Sequence, residues 1–229
     1  MKQLIGLRVY WVHRLVFFSA ICTLPAALYM LPLERAAARL STLSSERFYT
    51  EPDGVDLPAA MSLTAQYDIM IACDAALGAP IADVIPKRRR EDVWHRCLRR
   101  ADAMLVKSPN FSAAHLVRAR ATFQLDGTAN VTPDLHRSQT LAPGLIWMAL
   151  RRLETAVQHG QTSGKFANSL LDQEIALLLT TERGSRGVVA IYAGASVAAK
   201  DKMIQSIETL PANLQDEFLE ALAASDRAQ

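Results

Sequence analysis

Ala101 to Gly127 reads ADAMLVKSPNFSAAHLVRARATFQLDG. Its first seven residues close a helix that Ser108-Pro109 must stop, because proline has no amide proton and restricts the residue before it. Asn110 or Ser112 can then cap a new helix by accepting an orphan N–H at its start. Asp126-Gly127 is turn chemistry and ends that helix near Leu125. Two helices meeting at a short proline turn form the unit from which the rest of the chain is read.

Upstream, Pro86 suits the first turn of the helix that ends at Lys107, with Asp83 near its cap. Trp94, Cys97, Leu98, Ala101 and Leu105 recur at helical spacing and predict its buried face. An earlier helix is predicted from Pro58 to about Leu77, before Gly78 and Pro80, with Leu63, Tyr67, Met70, Ile71 and Leu77 as its apolar stripe. Downstream, helices are predicted over 133–141, 143–157, 165–181, 187–198, 200–210 and 212–224, the last burying Leu214, Phe218 and Leu222. Val188 to Ala199 is uncharged but too short to span a bilayer, so it reads as one buried core helix. No period-two run bounded by hairpin turns is present. The predicted class is all-α, with one helical domain over 58–229.

An internal period accompanies this pattern. Pro109 and Pro143 are 34 residues apart, and at the same offset Leu116 aligns with Leu150, Ala119 with Leu153 and Phe123 with Val157. Thirty-four residues is the tetratricopeptide period. The stretch quoted above, with LAPGLIWMALRRLETAVQHG after it, resembles the turn-then-helix arrangement of that family. His115 stands where the family usually has tryptophan, and Arg118 where it usually has leucine. Thr132-Pro133 interrupts the intervening helix, and no third copy is visible. An ordinary helical bundle with a chance period is the competing reading. The resemblance implies stacked helix pairs and a concave protein-binding surface.

Leu15 to Leu33, LVFFSAICTLPAALYMLPL, is nineteen residues without a charge. As a helix it would reach about 28 Å, close to the ~30 Å hydrocarbon core of a bilayer. Lys2, Arg8 and Arg14 precede it; Glu34, Arg35 and Arg39 follow it. Pro25 would kink a membrane helix without breaking it. The competing reading is a cleaved signal peptide, after which a secreted helical binding domain would remain. Against it, the run exceeds the usual apolar core of a signal peptide, Pro25-Ala26-Ala27 places proline at the cleavage motif, and Ala36-Ala37-Ala38 lies beyond two charges. Lys and Arg are equal in number on the two sides, so the short basic tail decides orientation. The expectation is a cytoplasmic tail over 1–14, a single anchor over 15–33 in a bacterial inner membrane, a polar linker over 34–57 turning at Pro52-Asp53-Gly54, and a periplasmic domain. With such an anchor the pattern is similar to accessory proteins of bacterial surface-polysaccharide systems.

The net charge of +2 conceals three blocks. Residues 40–86 carry one basic and seven acidic side chains, 87–152 thirteen and five, and 153–229 six and ten. Lys87, Arg88, Arg89 and Arg90 open the second helix, where cations oppose the helix macrodipole. Arg96, Arg99 and Arg100 extend them. A solvated face is one account of this patch. The other is a partner: anionic lipid headgroups, an anionic glycan, or an acidic surface of another membrane or envelope protein. Residues 40–229 are net acidic, with 20 basic and 22 acidic side chains and no nucleic-acid-binding motif, so nucleic acid is not expected.

Of three cysteines, Cys22 lies in the apolar run. Cys73 and Cys97 sit on consecutive predicted helices and are candidates for a disulfide, with buried free thiols as the alternative. The cysteines and histidines lack metal-ligand spacing, and no metal or cofactor is expected. Nucleophile-elbow, phosphate-loop, dinucleotide and zinc-protease motifs are absent. Gly184-Ser185-Arg186-Gly187 reads as a turn between helices that could hold an anion. The expected function is a non-catalytic scaffold in an envelope assembly. An enzyme with a dispersed, unrecognised active site is the alternative.

Overall fold

The computed structural model describes residues 46–50, 62–163 and 167–227 throughout, together with 14, 17–19, 21, 24, 27–36, 38 and 39. Every regular element among them is helical, which makes the described chain all-α. The helices are α1 (Leu63–Leu77), α2 (Lys87–Lys107), α3 (Ser112–Leu125), α4 (Thr132–Leu141), α5 (Ile146–Ser163), α6 (Asn168–Leu178), α7 (Glu182–Gly194), α8 (Val197–Glu208) and α9 (Ala212–Asp226). A single helical turn, Arg47–Thr50, precedes α1, and a 3-10 turn, Pro80–Val84, joins α1 to α2.

Local chemistry sets several of these starts. Ser62, Thr181 and Ser196 each accept a backbone N–H from three residues on, at Ala65, Gly184 and Ala199. Pro86 immediately precedes α2, where its missing N–H costs nothing. Helix α1 therefore begins at Leu63. The expected start at Pro58 and the turn at Pro52-Asp53-Gly54 lie outside the described residues.

The packing order is regular. Helix α1 packs on α3, α3 on α5, α5 on α7 and α7 on α9, so the odd-numbered helices form a row. The even-numbered helices lie against their flanking odd neighbours, and α6 also meets α8. Met70, Leu116, Met148, Leu153, Ile175 and Phe218 are among the buried side chains of the continuous core. Close approach is made possible at two glycines of α7. A Cβ at Gly184 would lie 2.0 Å from the Leu178 carbonyl oxygen, and one at Gly187 would lie 2.2 Å from Leu150 Cδ2.

A buried ion pair crosses α5 and α6. Arg152, fully buried, donates to both carboxylate oxygens of Glu174, and its Nη atoms also reach Ser138 Oγ and the Ala142 carbonyl at 3.4 Å. Burial pushes the Glu174 carboxyl above the usual carboxylate range; hydrogen bonds from Arg152 and Gln139 pull it only part of the way back. Helices α1 and α2 are joined by a disulfide between Cys73 and Cys97, whose Cα atoms are 5.6 Å apart. At the far end of α1, buried Tyr49 donates to the Ala76 carbonyl at 2.7 Å.

Three expectations are corrected. Val188 to Ala199 is not one core helix: α7 ends at Gly194 and Ser196 caps α8, because the serine side chain satisfies a new helix start. Helix α5 continues through His159-Gly160 to Ser163, since both residues are buried and His159 lies edge-on to Phe123 at 6.2 Å between centroids. Tertiary packing there overrides a weak stop signal. Leu63, expected on the buried stripe of α1, is exposed, and Ile69, Cys73 and Ala76 are buried instead.

Among the described residues no helix is long and apolar enough to cross a membrane. Much of the expected cytoplasmic tail and parts of the Leu15–Leu33 stretch and of the linker lie outside the described residues. The described positions within that stretch are helical, and Phe17, Phe18, Ile21, Leu24 and Leu28 to Leu31 are exposed. Just beyond it, Glu34 accepts hydrogen bonds from the Ser62 N–H, at 2.9 Å, and from the Ser62 hydroxyl.

Candidate functional site: a walled cavity and a basic helix face

The row of odd-numbered helices carries a cavity of about 740 Å³ lined from α1, α5 and α7. Its floor is ionic. Asp74 accepts from Arg120 and, at 3.1 Å, from Arg151. Glu154 accepts from Arg120 at 3.3 Å and from Arg151 at 3.1 Å. Asp74 and Arg120 are buried, so each needs the other's charge. Burial alone would pull the Arg151 guanidinium down, but the charges and hydrogen bonds of Asp74 and Glu154 outweigh it and hold the group above its ordinary value. The four charges neutralise one another.

The walls are apolar: Ile71, Trp147, Leu150, Val157 and Ile191. Trp147 is held in place, its Nε1 donating to Tyr67 Oη at 2.8 Å and its ring edge-on to Tyr67 at 5.9 Å. Arg183 lies on the rim, exposed and without an ion-pair partner among the described residues.

A second, polar cavity of about 640 Å³ opens between the Pro80–Val84 turn, the start of α2 and the end of α3. Asp83, Lys87, Arg90 and Glu91 line it. Arg120, Glu154 and Gln158 line it as well, and Glu154 and Gln158 also face the first cavity. The Arg120–Glu154 pair is thus part of a partition between them.

The basic run of α2 divides. Arg90 turns inward, donating to the Ala82 carbonyl at 3.2 Å and lying 5.1 Å from the Trp94 ring centroid. Arg100 donates to Gln66 Oε1 at 2.9 Å, and Lys87 pairs with Glu91 at 3.6 Å. At about 100° per residue, Arg88 and Arg99 share one line along the helix, with Arg89, Arg96 and Arg100 on a neighbouring line. Arg88, Arg96 and Arg99 have no ion-pair partner among the described residues. The seven cations therefore do not form one patch.

Gly184 to Gly187 does not form an anion-holding turn. All four residues lie inside α7, whose start is already occupied: Thr181 Oγ1 accepts the Gly184 N–H at 3.1 Å, and the Thr181 carbonyl accepts that of Ser185. His115 and Arg118, the departures from the repeat pattern, converge on Asp134 of α4. His115 Nδ1 lies 2.8 Å from Asp134 Oδ1, its Nε2 lies 2.9 Å from the Pro109 carbonyl, and Arg118 Nε donates to Asp134 Oδ2 at 2.8 Å. A polar bracket thus ties α4 to the proline turn. Among the described residues no three His, Cys, Asp or Glu side chains cluster as metal ligands.

Sequence reasoning missed the Asp74–Arg120–Arg151–Glu154 floor and Arg183. One signal was available: Arg120 and Glu154 stand at the 34-residue offset. Comparison with family models, with curated proteins and with solved structures gives no match to this chain.

Proposed function

We propose that the chain is a non-catalytic scaffold of a bacterial envelope assembly, hung from the membrane by the apolar stretch over 15–33 and built as a tetratricopeptide-like stack of helix pairs. The observation that carries this reading is the exposure of Leu28, Tyr29, Met30 and Leu31. Four successive residues at about 100° each face every side of a helix. An apolar side chain in every direction calls for lipid around the helix rather than one packed neighbour. The Glu34 hydrogen bonds to Ser62 couple the end of that helix to the start of α1.

Exposed Arg88 and Arg99 of α2, with half-buried Arg96, supply the contact with a partner, an acidic surface of another envelope protein. Anionic headgroups are less favoured for a geometric reason. Gln66 meets Arg100 and Cys73 meets Cys97, so α1 and α2 are antiparallel. The start of α2 therefore lies about 22 Å, the length of α1, from the Ser62–Glu34 junction. A system for surface-polysaccharide synthesis or export is the setting that the repeat-plus-anchor resemblance favours. The short basic tail favours a cytoplasmic N-terminus and a periplasmic domain.

Two measurements test the reading. A periplasm-dependent reporter fused after Gln229 is expected to be active; activity of a cytosol-dependent reporter there would reverse the orientation. Replacing Arg88, Arg96 and Arg99 with Gln in the full chain should abolish salt-sensitive retention of a co-purifying envelope protein, with helical content unchanged. Retention that survives the triple substitution removes α2 as the contact.

A further inference from the structure

The apolar cavity is separate from the α2 face and does not depend on the anchor. We propose that it binds a monoanionic amphiphile, a single carboxylate on an apolar body. About 740 Å³ is within the ~300–1,000 Å³ typical of small-molecule sites, which are mostly apolar with a few polar groups at set positions. Ile71, Trp147, Leu150, Val157 and Ile191 supply the apolar surface, and burying it against a ligand removes both surfaces from water. The bond from Trp147 to Tyr67 keeps that wall formed in the empty state.

Charge selects the head group. Asp74 and Glu154 each already accept from Arg120 and Arg151, so a cationic ligand would find no unneutralised carboxylate. Of the described charged residues lining the cavity, Arg183 alone has no ion-pair partner among the described residues. Its planar guanidinium matches a carboxylate with two parallel hydrogen bonds. Gln161 also lines the cavity and adds an amide. Space is available at the other end: a Cβ on Gly194 would meet nothing within 4 Å.

The test uses the full chain in lipid nanodiscs, titrated with octanoate, octylammonium and octanol by ligand-observed NMR, with empty nanodiscs as the blank. Octanoate should bind at least tenfold more tightly than octylammonium. Arg183→Gln should erase that preference without shifting the melting temperature, because the side chain is exposed. Gly194→Phe should fill the cavity and reduce octanoate binding at least tenfold. Equal binding of the three probes, preference for octylammonium, or no octanoate signal above the blank overturns the proposal. So does an octanoate preference that survives Arg183→Gln. Should Gly194→Phe prove unstable, the Arg183→Gln comparison alone decides.

Discussion

Arg120 and Glu154 stand 34 residues apart in sequence and 3.3 Å apart in space. One sits on α3 and the other on α5, at matching positions of adjacent helices in the odd-numbered row. The repeat offset thus becomes a physical contact. Arg120 also bonds Asp74 on α1, so a single guanidinium links three successive members of the row.

That link should be costly to cut. Arg120→Met leaves Asp74 buried with only Arg151 as a cation, and breaking such a pair typically costs about 3–5 kcal/mol. Glu154 is part-exposed, so Glu154→Gln should cost no more than about 1 kcal/mol. Urea unfolding of the two variants checks the ordering. Equal losses would mean that the floor is not held through Arg120–Asp74.

Arg152→Met tests the other buried pair. The Glu174 carboxyl, already pushed up by burial, then loses the partner that pulls it back. A carboxyl with a raised folded value contributes stability that is fully present below its unfolded value and is lost as pH rises through the folded one. The variant should therefore be about 3–5 kcal/mol less stable at neutral pH and should recover part of that loss on acidification toward pH 5. Replacing both residues, as Arg152→Met with Glu174→Leu, should recover most of it at all pH values. A pH-independent deficit in the single variant would contradict this account.

The disulfide between Cys73 and Cys97 spans 24 residues. Loop closure of that size corresponds to about 3 kcal/mol through the unfolded chain. Cys73→Ser with Cys97→Ser should lower the urea midpoint accordingly, and a reductant should then change nothing further. Thiol labelling of unfolded, unreduced protein should find neither cysteine reactive.

Gly184→Ala should destabilise by about 1–3 kcal/mol, because the new methyl would meet the Leu178 carbonyl at 2.0 Å and α7 would have to shift. At Gly144 a Cβ meets nothing within 4 Å, so Gly144→Ala should be neutral or stabilising by up to about 1 kcal/mol. Thermal melts of the pair separate close packing from general glycine effects. If both variants melt alike, the close approach of α7 to the end of α6 is not what requires glycine at 184.

Helix identity was legible where local chemistry speaks alone. Pro86, Ser108-Pro109 and Asp126-Gly127 mark ends that the structure keeps within a residue or two. The buried face of α2 was legible as well, because Trp94, Cys97, Ala101 and Leu105 follow a helical period that needs no knowledge of the neighbour. Signals failed where packing competes. His159-Gly160 did not stop α5, and Gly184 and Gly187, read as a turn, sit in a helix, where Gly184 lets α7 approach the backbone at the end of α6 and Gly187 lies against the Leu150 side chain of α5.

The candidate site was less legible. The run from Lys87 to Arg90 is conspicuous as a string of letters, yet the helical turn sends Arg90 inward to the Ala82 carbonyl and leaves Arg88 exposed. Asp74, Arg120, Arg151 and Glu154 are spread over three helices, and nothing local distinguishes them from solvated charges.

The sequence by itself determined the all-α class, most helix starts and the 34-residue offset, because capping, proline and periodicity act over fewer than a dozen residues or repeat along the chain. Only the tertiary structure decided that Asp74, Arg120, Arg151 and Glu154 neutralise one another beneath an apolar cavity while Arg183 has no ion-pair partner among the described residues. Charge compensation depends on distances of a few ångströms between residues dozens of positions apart, and those distances exist only once the helices are stacked.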